Sequence, residues 1–361
     1  MKKLDQYIIK MYLGSFFFTM LLISLVAVVI DFSEKINRFI DADLSMVTVL
    51  VKYYLPFIPW INGLMWPLFS LIAVIFFTSR LAKNSELIAT LSSGVSFYRI
   101  MVPFLIAASF VATLLWIGKN YVIPHSCKLK NDFEHEYLSK KYQKTLNSDI
   151  HIYLNPSEKI YIRHYKKRDT TASVFRLEKF EDEKLVQILK AEQLEFKKLP
   201  NEWTLKDYEI RTFKNLDETI LIAKGETLDT FFDLTPNDFI RNTKIMENMT
   251  TGDLKAHISR EQEKGLITGK DFMIELYQRT SQPFSIIILT IIGLAVASRK
   301  VRGGMGFHLA VGVILGAAFV VVSEFSATFS INLSLSPLLG SWTPNIIFMV
   351  IAAILVRYSQ K

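Results

Sequence analysis

Six stretches of the sequence contain no Asp, Glu, Lys or Arg: residues 11–30, 53–79, 100–118, 280–298, 303–323 and 325–356. Each reaches the roughly 20 residues that a helix needs to cross about 30 Å of hydrocarbon. The chain is 361 residues long, 50% hydrophobic, and carries 27 phenylalanines. That is more apolar surface than one water-soluble core can bury, and helices of soluble cores seldom run so long without a charge. The stretches therefore predict six membrane-spanning helices. Residues 119–279 reverse the character and are dense in charge. The expected organisation is three spans in 1–124, an inserted domain in 125–265, and three spans in 266–361.

A net charge of +8 would suit a nucleic-acid partner, but its distribution argues for topology instead. Lys2, Lys3 and Lys10 precede the first stretch, and Arg80, Lys83 and Arg99 lie between the second and third. Arg299, Lys300 and Arg302 separate the fourth and fifth, and Arg357 and Lys361 follow the last. If every stretch crosses, all four clusters fall on one side, the positive-inside pattern. Both termini are then cytoplasmic and the insert is extracytoplasmic, with no call for nucleic acid. The first stretch has a basic start but no small-x-small cleavage site, so it reads as a retained helix. Cys127 is the sole cysteine, so the insert must be stable without an internal disulfide.

Within the insert, residues 149–232 switch to period two. Ile150, Ile152 and Leu154 alternate with polar residues, as do Leu194 and Phe196, Trp203 and Leu205, and Tyr208 and Ile210. Turn-forming clusters at 155–157, 167–169, 181–183, 199–201 and 215–217 punctuate these runs. Strands at this spacing point to an antiparallel sandwich or jelly roll with flanking helices. The fold expected is thus an α-helical polytopic membrane protein with an inserted all-β, jelly-roll-like domain. Ile150, Ile152, Leu154, Leu194, Phe196, Trp203 and Leu205 form its predicted inward, apolar set.

Enzymatic motifs are missing. There is no G-x-x-x-x-G-K-[ST] loop for nucleotide phosphates and no G-x-S-x-G elbow, and the six histidines form no H-E-x-x-H ligand set. The chain reads as a non-catalytic protein that binds no cofactor and no metal.

Two polar segments stand out. Between the second and third spans, Asn84-Ser85-Glu86-Leu87-Ile88-Ala89 leads through Leu91 to Gly94. Ser85 is placed to cap a short helix from Glu86, with that carboxylate at the positive helix end and Gly94 as terminator. Leu87, Ile88 and Leu91 make one apolar stripe. Such a helix fits docking on a separate motor protein or resting on lipid. At the far end of the first span, Asp31, Glu34, Lys35 and Arg38 share neighbouring helical positions. They suit a polar cavity or an interfacial helix end equally. Glu324 is a further lone carboxylate, near the outer end of the fifth span.

Residues 84–89 with Ser93-Gly94-Val95-Ser96 resemble the coupling-helix motif of the LptF/LptG (YjgP/YjgQ) permeases. Asp5, Tyr7 and Ile8 resemble that family's opening segment, and Glu275 to Arg279 with Pro283 the start of its fourth span. Arg299 to Gly304 and Leu338 to Asn345 resemble its last loops and favour the LptG type. The resemblance implies a permease subunit that extracts lipopolysaccharide from a Gram-negative inner membrane. It implies a heterodimer with an LptF-type permease over two copies of an LptB-type ATPase, which hydrolyses ATP with Mg. Cargo then passes over the periplasmic jelly rolls to an LptC-type bridge protein. Asn84, Ser85, Glu86, Leu87, Ala89, Leu91 and Gly94 would form the coupling segment, with Glu86 meeting the ATPase. Where some family members place a phosphate-contacting basic residue, this chain has Asp31, and Lys35 and Arg38 are the substitutes. Asp31, Glu34, Lys35, Arg38 and Glu324 are the expected cavity residues.

The physics suits that task. Exposing acyl chains to water costs about 0.8 kcal/mol per methylene, so a carrier must keep them covered on an apolar cavity and groove. Two alternatives remain at this level: a permease for lipoprotein or another lipid, and a non-transporting scaffold that anchors a periplasmic domain.

Overall fold

The apolar stretches fold as long helices in the computed structural model, which describes residues 3–138, 147–155, 157–166, 169–181, 184–198, 201–214, 217–232, 234, 245–263, 270–298, 304–333 and 335–359. The first span is α1 (Lys3–Asp41). The second combines α2 (Met46–Val49), a π-helical turn (Leu50–Tyr54) and α3 (Leu55–Lys83). After the short α4 (Glu86–Ser92), the third runs as α5 (Phe97–Ile117), a π turn (Gly118–Val122), α6 (Ile123–Phe133) and a last π turn (Glu134–Leu138). Residues 125–133 thus continue the third span, past the boundary expected at 124. Then come α7 (Ile245–Asn248), α8 (Thr251–Glu263) and the spans α9 (Lys270–Ala297), α10 (Gly304–Asn332) and α11 (Pro337–Ser359).

Two π turns have a local cause. Pro56 and Pro124 sit in the opening turns of α3 and α6. Proline has no N–H to close an α-helical ring. The residue before each, Leu55 or Ile123, bonds to the carbonyl five positions back, Leu50 or Gly118. The last hairpin, expected within residues 324–345, turns between Asn332 and Pro337. The turn forms where Ser336 caps α11, accepting from the Leu339 N–H at 3.4 Å, with Pro337 opening the helix.

Besides a cluster around Tyr53, Phe57 and Phe133, two larger ones hold the helical unit (residues 1–139, 246–255 and 270–361) together. One gathers α1, α3, α4, α5 and α9 around Tyr12, Phe77 and Phe104. The other joins α3, α9, α10 and α11 around Ile75, Leu289 and Phe348. A Cβ on Gly312 of α10 would meet the tip of the Ile75 side chain, so α10 lies close against α3 there. α3 and α9 are the central helices. Of the apolar window of α9, 67% is buried within the chain, against 6% for α1 and 22% for α10. The middle of α1 instead presents Phe18, Leu21, Leu25 and Ile30 outward. Polar contacts tie it down: Tyr12 Oη lies 2.6 Å from Ser70 Oγ and 3.2 Å from Thr290 Oγ1, and Ser24 donates to Asn62 Oδ1 at 2.8 Å.

The second unit (140–245 and 256–269) carries β1 (Asn147–Asn155), β2 (Glu158–Lys166), β3 (Thr171–Glu181), β4 (Lys184–Lys198), β5 (Glu202–Lys214) and β6 (Asp217–Phe231). All five turn clusters of the sequence lie between consecutive strands. The described strands pair in sequential order, β1 to β6, as one antiparallel meander. This is the inserted antiparallel β unit expected from the sequence. Connections this short pair each strand with those just before and after it.

A crease crosses this sheet. Ala172 and Phe175 are both buried, as are Ala191 and Leu194, although an odd spacing puts residues on opposite faces of a regular strand. Pairing steps from Ser173–Gln193 to Phe175–Ala191, and from Gln193–Lys206 to Ala191–Tyr208, so Val174, Glu192 and Asp207 stand in line outside the ladder while the register is kept; between β5 and β6 the register itself shifts between Lys206 and Tyr208. Val174 and Asp207 have φ of 57° and 53°, and Gly225 on β6 has 82°. These irregularities reverse the alternation and keep one face apolar on both sides of the crease.

That face is a filled core rather than the open groove expected. Leu194, Trp203 and Leu205 are wholly buried with Ile160, Ile162, Phe175 and Leu177. Phe232 stacks near Phe175 at 5.4 Å, and Trp203 Nε1 donates to the Leu234 carbonyl at 3.0 Å. Leu154 and Phe196 are half-buried at the margin. Ile150 and Ile152 pair with Ile162 and Ile160 across β1 and β2, and their side chains lie outside the described residues.

Candidate functional site

Polar side chains concentrate at the two ends of α1. Asp5 and Lys35 are 30 residues apart, which at 1.5 Å per residue separates the ends by about 45 Å.

At the Asp5 end, α4 is clamped between α3 and α5. The link from α3 is two residues, Asn84 and Ser85, and the link to α5 runs through Gly94. Ser85 occupies the N-cap position, but its φ is 62° and its hydroxyl caps nothing. The expected hydroxyl cap is therefore absent: a two-residue reversal needs a left-handed residue here, and that conformation turns the hydroxyl away from the helix start. Gly94, at φ 89°, ends α4 as the sequence predicts.

Leu87 is buried among Ile8, Leu81, Phe97 and Ile100, and Leu91, one turn on, packs against the same cluster. Ile88 leaves the expected stripe and is 40% exposed. A seven-residue helix has only a narrow seam on the bundle, and the i, i+4 pair Leu87 and Leu91 fills it. Glu86, Ala89, Ser92 and Ser93 face outward. Glu86 accepts from Asn84 Nδ2 at 3.2 Å and stands 3.5 Å from Tyr7 Oη on α1. Asp5, also on α1, is buried and binds Arg99 Nη2 of α5 at 2.8 Å.

At the other end, the π turns deliver the polar groups. Lys35 Nζ lies 2.7 Å from Asp31 and 3.0 Å from Glu134, and it donates to Tyr53 Oη. Tyr53 and Tyr54 donate to the two oxygens of Asp31 at 3.3 and 3.2 Å. Lys130 is buried 3.9 Å above the Trp60 ring, and Trp60 Nε1 donates to Glu247 at 3.2 Å. Lys35, named from the sequence as a substitute for the family's basic residue, is thus held by two carboxylates. Glu34 and Arg38 are exposed and outside this network, and Glu324 is exposed on α10.

Sequence reasoning missed Tyr53, Tyr54, Trp60, Lys130 and Glu247 as members of this site. A tyrosine pair beside a proline helix start and a lysine within an apolar environment were the available signals. The resemblance drew attention to Glu275 and Arg279 without a role. Arg279 is 2% exposed and bonds Glu275 at 3.1 Å, Thr251 Oγ1 at 3.0 Å, and the Met246 and Met249 carbonyls at 3.1 and 2.9 Å. It fastens the segment leading into α8 against α9.

The fold and these two ends define a polytopic helical membrane protein with an inserted antiparallel β unit and a short, acidic-led helix between its second and third spans. The sequence model of the family described as "Lipopolysaccharide export system permease LptF/LptG" matches residues 6–358. The chain belongs to this family. It is also 21% identical over 349 residues, 96% of each chain, to the lipopolysaccharide export system permease protein LptG of Haemophilus influenzae.

Proposed function

We propose that this chain is the LptG-type permease subunit of an ATP-driven lipopolysaccharide exporter in the inner membrane. Its termini and α4 face the cytoplasm and its β unit the periplasm. It pairs with an LptF-type permease above two LptB-type ATPase subunits, and an LptC-type bridge receives the cargo. ATP and Mg belong to the ATPase.

The observation that carries this reading is the construction of α4. Leu87 and Leu91 are spent on the bundle, and its outward side offers a carboxylate and small residues with a single large apolar side chain, Ile88. A helix resting on lipid would turn the apolar side out. Support also comes from α1 and α10, whose apolar faces are the least covered by the chain itself. A partner permease and the acyl chains between them would cover those faces. Glu324, a carboxylate on an otherwise apolar helix, then looks into that cavity, where intramembrane charges belong. Asp31 and Glu134 hold Lys35 until an anionic cargo competes for it. The apolar face of the sheet must part from Phe232 and Leu234 before acyl chains can lie on it.

The test is Glu86→Arg in the reconstituted complex. The variant inserts and folds, but ATPase co-purification and ATP-dependent lipid release are lost. Normal release by this variant with the ATPase still bound would refute the coupling role.

A further inference from the structure

α4 is joined covalently to α3 through Asn84 and Ser85, and to α5 through Gly94, so those two helices must follow any displacement of α4. α1 has no such link. Its apolar window is also the least buried of the six spans, although Ile8, Tyr12 and Phe16 pack into the core.

We propose that the Asp5–Arg99 ion pair, with Tyr7 against Glu86, is the non-covalent link that makes α1 move with α4 and α5 during the ATP cycle. This rests on the reading of α4 as the ATPase-coupling helix. The geometry favours transmission over simple stapling. Arg99 lies in the first turn of α5, whose start Ser96 fixes by accepting the Arg99 N–H at 3.3 Å, so the guanidinium reports the position of that helix end. A cation there opposes the helix dipole, and a carboxylate partner offsets it. Asp5 supplies that carboxylate from the first turn of α1, a position where its own charge suits the dipole. The pair closes at 2.8 Å, with the Asp5 side chain 8% exposed and the Arg99 side chain 40% exposed, so the bond is directional and its carboxylate is shielded from water. Two residues along α1, Tyr7 stands 3.5 Å from the carboxylate that leads α4, and its ring meets Phe77 of α3 edge-on at 6.1 Å. One turn of α1 therefore touches the start of α4, the start of α5 and the end of α3. Asp5 and Arg99 act through α4 and are positioning residues; they need not touch the ATPase or the cargo.

The test uses the complete permease–ATPase complex in proteoliposomes, with three readouts: ATPase retained on the permease, ATP hydrolysis, and lipid released per ATP. Asp5→Asn and Arg99→Gln keep the ATPase bound and hydrolysing, while lipid released per ATP falls about tenfold, within the usual range of coupling between sites. Arg99→Lys, which keeps the charge, restores most of the yield. Unchanged yield in both neutral variants overturns the proposal. So does a loss of yield that Arg99→Lys fails to restore, because packing at position 99 would then explain the defect. Loss of bound ATPase in the neutral variants also overturns it, since the pair would then shape the docking surface itself. An unaltered complex that retains no ATPase refutes the coupling reading of α4, a result distinct from all of these.

Discussion

Replacing Arg279 by methionine keeps most of the volume and removes the guanidinium. In the native chain that group satisfies the Met246 and Met249 carbonyls, Thr251 and Glu275 while only 2% exposed. Removing one partner of a buried ion pair costs about 3–5 kcal/mol because the other charge is left uncompensated. Glu275 retains 17% side-chain exposure, so water can recover part of that loss. The stranded carbonyls add to the cost, each hydrogen bond to a charged group being worth about 1.5–3 kcal/mol, although the contributions overlap. A net local cost of about 3 kcal/mol follows, equivalent to roughly a 150-fold rise in the opening of segment 246–251. Amide hydrogen exchange of that segment in the detergent-purified chain measures this directly. Arg279→Lys keeps the charge but reaches fewer acceptors, so its exchange falls between the two. Native-like protection of residues 246–251 in Arg279→Met would refute the reasoning.

Two further predictions follow from local structure. Because the Ser85 hydroxyl caps nothing, Ser85→Ala leaves thermal stability close to the parent, Ser85→Gly raises it by relieving left-handed strain, and Gly94→Ala costs about 1 kcal/mol. An equal drop in Ser85→Ala and Gly94→Ala melting temperatures would show that the hydroxyl does cap α4. In the β unit, hydrogen bonds from Lys197 and then Thr204 hold the Asp229 carboxyl below the usual carboxylate range. A depressed folded-state value means the contribution is complete at neutral pH and is lost as pH falls through that value. Acid-induced exchange of β5 and β6 therefore sets in at higher pH in Lys197→Met; an unshifted onset would sink this account.

Much of the architecture was legible because it follows from local rules. Uncharged runs long enough to cross a bilayer mark the spans, and Gly94 marks the end of α4. The turn clusters mark where the strands reverse. Even the crease has a trace, since Leu205 and Tyr208 break the alternation around Asp207. What failed were statements about partners in space. Ser85 looked like a cap because its type fits one, yet the tight reversal after α3 decides its backbone. The hold of Glu134 on Lys35, nearly one hundred residues earlier, is invisible to a local reading.

The sequence by itself determined that this chain spans a membrane six times, carries a strand-rich insert, and presents an acidic-led helix between its second and third spans. Those properties depend on charge-free length, alternation and residue spacing, all carried along the chain. Only the tertiary structure decided that the strands form one creased meander with its apolar face filled, that polar contacts of Tyr12 and Ser24 supplement the packing of α1, and that Asp5 meets Arg99. Burial and ion pairing depend on which distant segments become neighbours, and no period in the sequence encodes that choice.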